Sequence, residues 1–585
     1  KPGVTIEQAQ SEVTTIAARI REKDKRDRTF TISVVPLLDQ VVGDVRPALL
    51  VLLGAVALVL LIACANVANL LLARATSREK EVAIRAAIGA GRSRLIRQML
   101  TESVVLGLAG GAAGLVVAAW TLYFIRDLNP GNIPRLDQIG INPSVLAFTM
   151  FISILTGIFF GLAPALRVAR VDLNASLKSG GRSSQIDGGF NVARHGLRSL
   201  LVVTELAISL VLLIGAGLLI RSFGRLLSVP PGFNPDHVIS MRMAVAGAKY
   251  RESQSTLQFF HQLGERILQL PGVKAQGGVT SLPFTTSVGW GGITIEGYTP
   301  PPSQPELQVD LRVATTDYFR TMEVPLVKGR FFTDRDTKDA PQVVLIDQKM
   351  AQRFWPGGDA LGKRVKQGGP KDPWLTIVGV VGIVKEYGLD IDGRMVVYYP
   401  HQQLPTNGLY IVARTATDPA TVSSAIIQQV HALDPDVPVY DVRTMPDRLR
   451  GSLARQRFSM TMLGAFAGFA LVLAAVGVYG VMSYLVTQGI HDIGVRIALG
   501  AQQGNILGLV LRQGMTVALI GIAGGLAGAF ALTRLMASLL FGVSATDVAT
   551  FSAVAVFLVI IALVATYVPA RRAMNVDPLI ALRYE

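Results

Sequence analysis

Glu81-Val82-Ala83-Ile84-Arg85-Ala86-Ala87-Ile88-Gly89-Ala90 is answered later in the chain by Asp492-Ile493-Gly494-Val495-Arg496-Ile497-Ala498-Leu499-Gly500-Ala501. The acid, the arginine and the closing Gly-Ala fall in register, and each stretch follows a long apolar segment. Two further blocks repeat in the same order. Gly107-Leu108-Ala109-Gly110-Gly111-Ala112-Ala113-Gly114 matches Gly521-Ile522-Ala523-Gly524-Gly525-Leu526-Ala527-Gly528, and Pro164-Ala165, Arg167, Val171-Asp172 and Leu177 match Pro569-Ala570, Arg572, Val576-Asp577 and Leu582. Three ordered matches mark an internal duplication spanning 48–180 and 460–585.

The apolar segments around these blocks set the fold class. Half of the 585 residues are hydrophobic, 17% are charged, and the mean hydropathy is +0.43, above the range of ordinary soluble chains. A helix crossing a bilayer needs about 20 mostly apolar residues, since lipid leaves no backbone amide a partner outside the helix. Seven segments meet that length, at 48–72, 103–125, 145–166, 200–220, 460–486, 513–533 and 548–570. The expected fold is therefore a polytopic α-helical membrane protein with tandem, parallel permease-like repeats.

The net charge of +15 follows the membrane topology and forms no nucleic-acid patch. Arg74, Arg78, Lys80, Arg85, Arg92, Arg94 and Arg97 crowd the first connection, whereas the second has only Arg126 and Arg135. The third is basic again, with Arg167, Arg170, Lys178, Arg182, Arg194 and Arg198, and the tail carries Arg571, Arg572 and Arg583. One orientation accommodates all of these. It places residues 1–47 and 221–457 outside the cytoplasm, with the basic connections, the 181–199 linker and the tail inside. The chain opens at Lys1 with no signal-like pattern, which leads us to expect a membrane segment upstream and to read 1–47 as the end of a first external domain.

The stretch 221–457 carries its own strand and helix patterns, so a large extracytoplasmic α+β domain is expected. Strands are predicted at 238–245, 293–295, 308–313, 343–346, 375–381 and 410–412, and helices at 253–270, 347–354, 419–433 and 445–453.

Little in the chain points to chemistry. No Gly-x-x-x-x-Gly-Lys-Ser/Thr phosphate loop occurs, so the chain is not expected to be an enzyme or to bind ATP and magnesium itself. The single cysteine, Cys64, excludes an internal disulfide, and the six histidines, among them His195, His237, His261 and His401, lack metal-ligand spacing. What remains are two short cytoplasmic helices and a few polar groups at membrane depth. In the first helix Glu81, Val82, Ile84, Arg85 and Ile88 lead to a glycine stop at Gly89; in the second Asp492, Ile493, Val495, Arg496 and Leu499 lead to Gly500. Such helices suit docking into a groove of a partner, or lying in the headgroup layer. Asn66, Asn69 and Glu205 are the membrane-depth polar groups; they raise the idea of a proton relay, although Glu205 lies only about two turns past Arg198, within reach of the interface.

Ser77–Arg85 with Gly89-Ala90, the second-copy equivalent, and the tail Pro569-Ala570-Arg571-Arg572-Ala573 with Val576-Asp577-Pro578 and Ala581-Leu582-Arg583 resemble the permeases that include MacB, LolC, LolE and FtsX. Asp317-Tyr318-Phe319-Arg320-Thr321-Met322, Lys328-Gly329-Arg330-Phe331-Phe332 and Arg353-Phe354-Trp355-Pro356-Gly357 look like the periplasmic core domain of the same group. The resemblance implies a duplicated orphan permease in the inner membrane, with 78–90 and 489–501 as coupling helices for two ABC ATPase subunits that bind ATP and magnesium. It also implies mechanotransmission to the external domain, with drug, peptide or lipoprotein clients, and in some members a periplasmic adaptor and outer-membrane channel. The alternative it carries is an FtsX-like transmitter that regulates an extracytoplasmic hydrolase.

Overall fold

The computed structural model describes residues 3–23, 32–43, 45–77, 92–127, 140–169, 196–285, 289–301, 307–367, 372–488 and 490–574. It divides into two compact units, one made of 1–44 with 224–455 and the other of 45–223 with 456–585.

In chain order, α1 (Ile6–Lys23) and α2 (Leu37–Val42) precede α3 (Arg46–Ser77), α4 (Arg92–Asp127), α5 (Pro143–Ala169) and α6 (Gly196–Leu227). Strand β1 (Val238–Ala244), α7 (Ser253–Leu268), β2 (Val273–Val279), β3 (Trp290–Ile295), β4 (Leu307–Ala314), α8 (Tyr318–Met322) and β5 (Leu326–Gly329) follow. Next come β6 (Val343–Asp347), α9 (Gln348–Phe354), β7 (Arg364–Gln367), β8 (Leu375–Val381), β9 (Val396–Pro400) and β10 (Gly408–Thr415). The chain continues through α10 (Ser423–Leu433), β11 (Val439–Thr444), α11 (Met445–Ser452), α12 (Ala454–Gln488), α13 (Ile490–Ala498), α14 (Gln503–Leu532) and α15 (Val548–Met574).

The helical unit holds α3 to α6 and α12, α14 and α15. Six of its helices have a described stretch long and apolar enough to span a bilayer: α3, α4, α6, α12, α14 and α15. The seventh expected segment, 145–166, lies in α5, where the described apolar stretch is Pro143–Ile158; a count of seven is not established. Leu206, Leu210, Ile214 and Leu218 of α6 pack with Ala474 and Val478 of α12, Ala518 and Ile522 of α14, and Leu558 and Ala562 of α15 in one core. A second core joins Ala55 and Ile62 of α3 to Leu212 and Ala216 of α6 and to Leu463, Ala467 and Ala470 of α12. Helix α6 is thus shared between the two, which is why its hydrophobic surface runs around the whole helix.

The glycine blocks that reveal the duplication are packed differently in the two copies. A Cβ on Gly521 would stand 2.9 Å from Leu206 Cβ, and one on Gly525 2.9 Å from Ala207 Cα, so this stripe receives α6. Their first-copy counterparts face α5: a Cβ on Gly107 would meet the Ser153 carbonyl at 2.7 Å, and one on Gly111 the Ser153 hydroxyl at 2.5 Å. Small residues let backbones approach closely in lipid, where association rests on van der Waals contact. The same sequence device therefore serves two different neighbours.

The α+β unit has an eleven-stranded sheet with an internal closure. Strands β4, β3, β7, β8, β6 and β9 pair in sequence, and β9 returns to β4 in parallel, closing a six-stranded barrel; β5 is added to β8. Ile293, Ile295, Val309, Val313, Val344, Ile346, Ile377 and Val397 fill it. The other half is an antiparallel run β11-β1-β10-β2. One face of that run packs under α7 and α10 through Ile239, Met241, Met243, Phe260, Leu263, Leu409, Ile411 and Ile426. The period of two explains the split, since Val238, Tyr410 and Val412 turn to the opposite face and join a third core with Phe319, Val396 and Tyr398.

The two halves meet at a narrow seam. Strands β2 and β4 share one ladder pair, Val279 with Ala314. Thr280 and Thr315 reinforce it: Thr280 N donates to Val313 O at 2.9 Å, and Gly278 N donates to Thr315 Oγ1 at 2.7 Å. On the α7 side of this seam lies a cleft of about 1050 Å³ between Gln254, Gln258 and Gln262 and the loops at 315–317, 333–339 and 400–405.

Candidate functional site: a glycine-capped short helix and a buried polar node

Helix α13 sits between the membrane helices α12 and α14. Its end is set by Gly500, whose φ of +94° is open to glycine at little cost, with Gly500 N bonded to Ile497 O at 3.0 Å and Ala501 N to Arg496 O at 2.9 Å. The glycine stop expected from sequence is therefore present, and it fixes where Leu499 emerges. The docking residues separate into two roles. Ile493 is 2% exposed and belongs to the core of the helical unit, whereas Leu499 is 82% exposed. Val495, Arg496 and Ile497 are half-buried. Ile493 thus anchors α13 to its own bundle. The Asp492 side chain lies outside the described residues. So does the whole first-copy segment with Glu81, Val82, Ile84, Arg85, Ile88 and Gly89.

The membrane-depth polar residues do converge, in part. Asn66 on α3 donates from Nδ2 to Glu205 Oε1 on α6 at 2.6 Å and to Leu473 O on α12 at 3.1 Å. Glu205 is 1% exposed. Gly477 on α12 makes room for the pair, because a Cβ there would lie 2.3 Å from Glu205 Oε2 and 2.7 Å from Asn66 Oδ1. One helical turn outward, Ser209 Oγ donates to Ala470 O at 3.1 Å. Asn69 is also buried, but both polar atoms of its side chain lack a hydrogen-bond partner among the described residues. Arg198 stacks over the Tyr484 ring at 4.0 Å.

A third constellation, which the sequence reading missed, lies in the α+β unit. Asp310 and Arg312 on β4 are both buried and face away from the barrel core. Arg312 reaches Asp310 at 3.4 Å and Glu386 at 3.8 Å, and Tyr387 Oη donates to Asp310 at 2.6 Å. Burial pushes the Glu386 carboxyl up to about 7, against the pull of Arg312. Burial likewise lifts Asp347 to about 7, although it accepts a hydrogen bond from Met350 N at 2.9 Å as the cap of α9. The only signal in the sequence was the acid-x-base alternation in Asp310-Leu311-Arg312, which an exposed strand face shows equally well.

Gly357 and Gly362-Lys363 come within one residue of a phosphate loop, with Arg364 where Ser or Thr belongs. The structure leads this stretch into β7 and not into a helix N-terminus, and Arg364 pairs with Glu296. The geometry that holds phosphate on backbone amides ahead of a helix is missing there.

The model of the MacB-like periplasmic core domain matches residues 199–429, and that of the FtsX-like permease C-terminal matches twice, at 53–173 and 464–578. The macrolide export ATP-binding/permease protein MacB of Acinetobacter baylyi is 29% identical over 293 residues, 48% of this chain and 43% of that protein. The pyoverdine export ATP-binding/permease protein PvdT of Pseudomonas aeruginosa is 27% identical over 46% of this chain and 41% of its own length. An uncharacterized ABC transporter permease of Bacillus subtilis, YknZ, is 25% identical over 46% of this chain and 68% of its own. The chain thus spans less than half the length of the first two. Among solved structures, the periplasmic region of MacB from Actinobacillus actinomycetemcomitans aligns with 37% of the chain at 15% identity and a TM-score of 0.25. Two permease matches in the order of the internal repeat, on either side of one core-domain match, identify the chain as a duplicated ABC-type permease of the MacB/FtsX-like family, a membrane protein with a large extracytoplasmic domain.

Proposed function

We propose that the chain is the permease subunit of an export complex in the inner membrane, in which separate ABC ATPases bind ATP and magnesium and drive movement of the extracytoplasmic domain. The observation that carries this reading is α13: a helix ended by Gly500 that commits Ile493 to its own bundle and leaves Leu499 uncovered at the cytoplasmic connection. Its sequence twin at 81–90 supplies a second docking segment, which fits two ATPase subunits. The relatives whose printed names pair export with ATP binding in one polypeptide support the division of labour, with the nucleotide-binding part placed on a partner. A periplasmic adaptor and an outer-membrane channel complete the proposal.

The test is affinity purification of the tagged full chain from its native membrane, followed by reconstitution with the captured ATPase in nanodiscs. Stoichiometric capture of an ABC ATPase, whose turnover changes when the permease is present, is the expected result. Failure to capture one, or turnover indifferent to the permease, refutes the proposal. Capture of the ATPase together with a cell-wall hydrolase, without an adaptor, would favour the regulatory transmitter instead.

A further inference from the structure

We propose that Glu205 is a proton-binding site inside the membrane: a neutral carboxylic acid in a two-point pair with the Asn66 amide that joins α3 to α6 across the face of Gly477. Three observations lead there. The amide already donates from Nδ2 to Oε1 at 2.6 Å, which ties the carboxyl to the amide. The remaining two atoms, Glu205 Oε2 and Asn66 Oδ1, both approach the same point above Gly477, at 2.3 and 2.7 Å from where a Cβ would sit. Each is an acceptor when the carboxyl is ionised, and two acceptors turned to the same face of Gly477 gain nothing from each other unless a proton lies between them. A protonated carboxyl supplies that proton, since it becomes one O–H donor with acceptor capacity left over.

The surroundings agree. Glu205 is 1% exposed, Oε2 has no other hydrogen-bond partner, and no cation pairs with the carboxyl among the described residues. The neighbour on α3 is the neutral Asn66; on α12 they are Leu473 and Gly477; on α14 Gly521 backs Leu206; on α6 itself Ser209 bonds to Ala470 O and Arg198 covers the Tyr484 ring. An ionised carboxylate with one hydrogen bond in such a place is expensive, whereas a neutral acid with two is not. Because Asn66 also holds Leu473 O, a single proton completes a joint between the first permease copy, the connecting helix and the second copy. Loss of that proton leaves one hydrogen bond and sets two acceptors against each other, so the joint opens.

The experiment is infrared difference spectroscopy of the full chain in nanodiscs, wild type minus Glu205→Gln, near neutral pH. Glutamine is the matched variant: its amide donates where the acid's O–H does, so the variant should insert, elute as one species and unfold at an unchanged temperature. The difference spectrum should show the carbonyl band of a protonated carboxylic acid. Glu205→Leu, which removes both hydrogen bonds, should lower the unfolding temperature. A difference spectrum containing only carboxylate bands overturns the proposal. So does a Glu205→Gln chain that fails to insert or melts as early as Glu205→Leu, because an acid–amide pair is replaced by an amide–amide pair without loss.

Discussion

Ile493 within α13 and Leu499 just past its end lie six positions apart and differ in everything around them, so substituting each in turn separates docking from folding. Full burial of a leucine side chain stabilises by about 1.5–3 kcal/mol. With 82% of Leu499 exposed, a partner that covers it gains about 1.2–2.5 kcal/mol from this residue, which Leu499→Ser forfeits. That is a loss of roughly 8- to 70-fold in affinity for the ATPase. Since Leu499 touches little of its own protein, the bundle should melt at an unchanged temperature. Ile493→Ser should behave in the opposite way. It removes a 2% exposed side chain from a filled core, at about 2–5 kcal/mol, and should lower the melting temperature before any ATPase is added. The assay is binding of the captured ATPase to immobilised nanodiscs, paired with a thermal melt of each variant. Unchanged ATPase affinity in Leu499→Ser refutes the assignment of α13 as a docking helix. A normal melt in Ile493→Ser refutes the division of roles along it.

Three further outcomes follow from the α+β unit. Glu386 and Asp347 are both raised to about 7 by burial, so the stability they confer is complete below about pH 4 and is lost as pH rises through 7; amide protection of β6 and β9 should fall between about pH 4 and 7, and the Asp347→Asn, Glu386→Gln double variant should flatten that change. Arg414 donates to the carbonyls of Thr321, Asp236 and Asn234 at 2.8, 2.8 and 2.9 Å, and Arg414→Met, which strands all three, should cost on the order of 3 kcal/mol in a chemical unfolding curve, a cost that Arg414→Lys recovers only in part. Gly379→Ala would set a Cβ 2.3 Å from Arg330 O and 2.7 Å from Leu345 Cδ2, and should expose β5 to proteolysis through about 1–3 kcal/mol of overpacking.

The long helices and the duplication were legible because lipid imposes one length and one composition on every span. In the α+β unit the six strands expected from sequence all form, for the reason that β1, β6, β8 and β10 carry dense apolar runs. Strands β2, β5, β7, β9 and β11 were missed. Val273-Lys274-Ala275-Gln276-Gly277-Gly278-Val279 reads as a loop because its glycines are there for a neighbour: a Cβ on Gly277 would strike Tyr318 Cα at 2.5 Å. Strand β7 is Arg364-Val365-Lys366-Gln367, with one apolar residue, and it is held by pairing on both sides rather than by propensity. At the candidate site a helix forms where the repeat predicts one, but the repeat alone does not tell which side of a short helix faces its own bundle. Ile493 and Leu499 look interchangeable until α14 and α15 are in place. The Asn66–Glu205 pair was legible as two polar residues and not as a pair, since 139 positions separate them.

The seam between β2 and β4 makes the extracytoplasmic domain stiff in two places and compliant in one. Each half closes a core of its own, and the ladder pair with its threonine bonds contributes four hydrogen bonds, Thr280 N to Val313 O, Val313 N to Thr280 Oγ1, Thr315 N to Gly278 O and Gly278 N to Thr315 Oγ1. At about 0.5–1.5 kcal/mol net apiece, opening them takes about 2–6 kcal/mol, within reach of thermal and ligand-scale forces. The aromatic core with Phe319 and Tyr398 lies on the face opposite α7 and takes residues from both halves, Tyr410 and Val412 from one and Val396 and Tyr398 from the other. A load that opened this seam would change the width of the glutamine-lined cleft beside α7, which borders it.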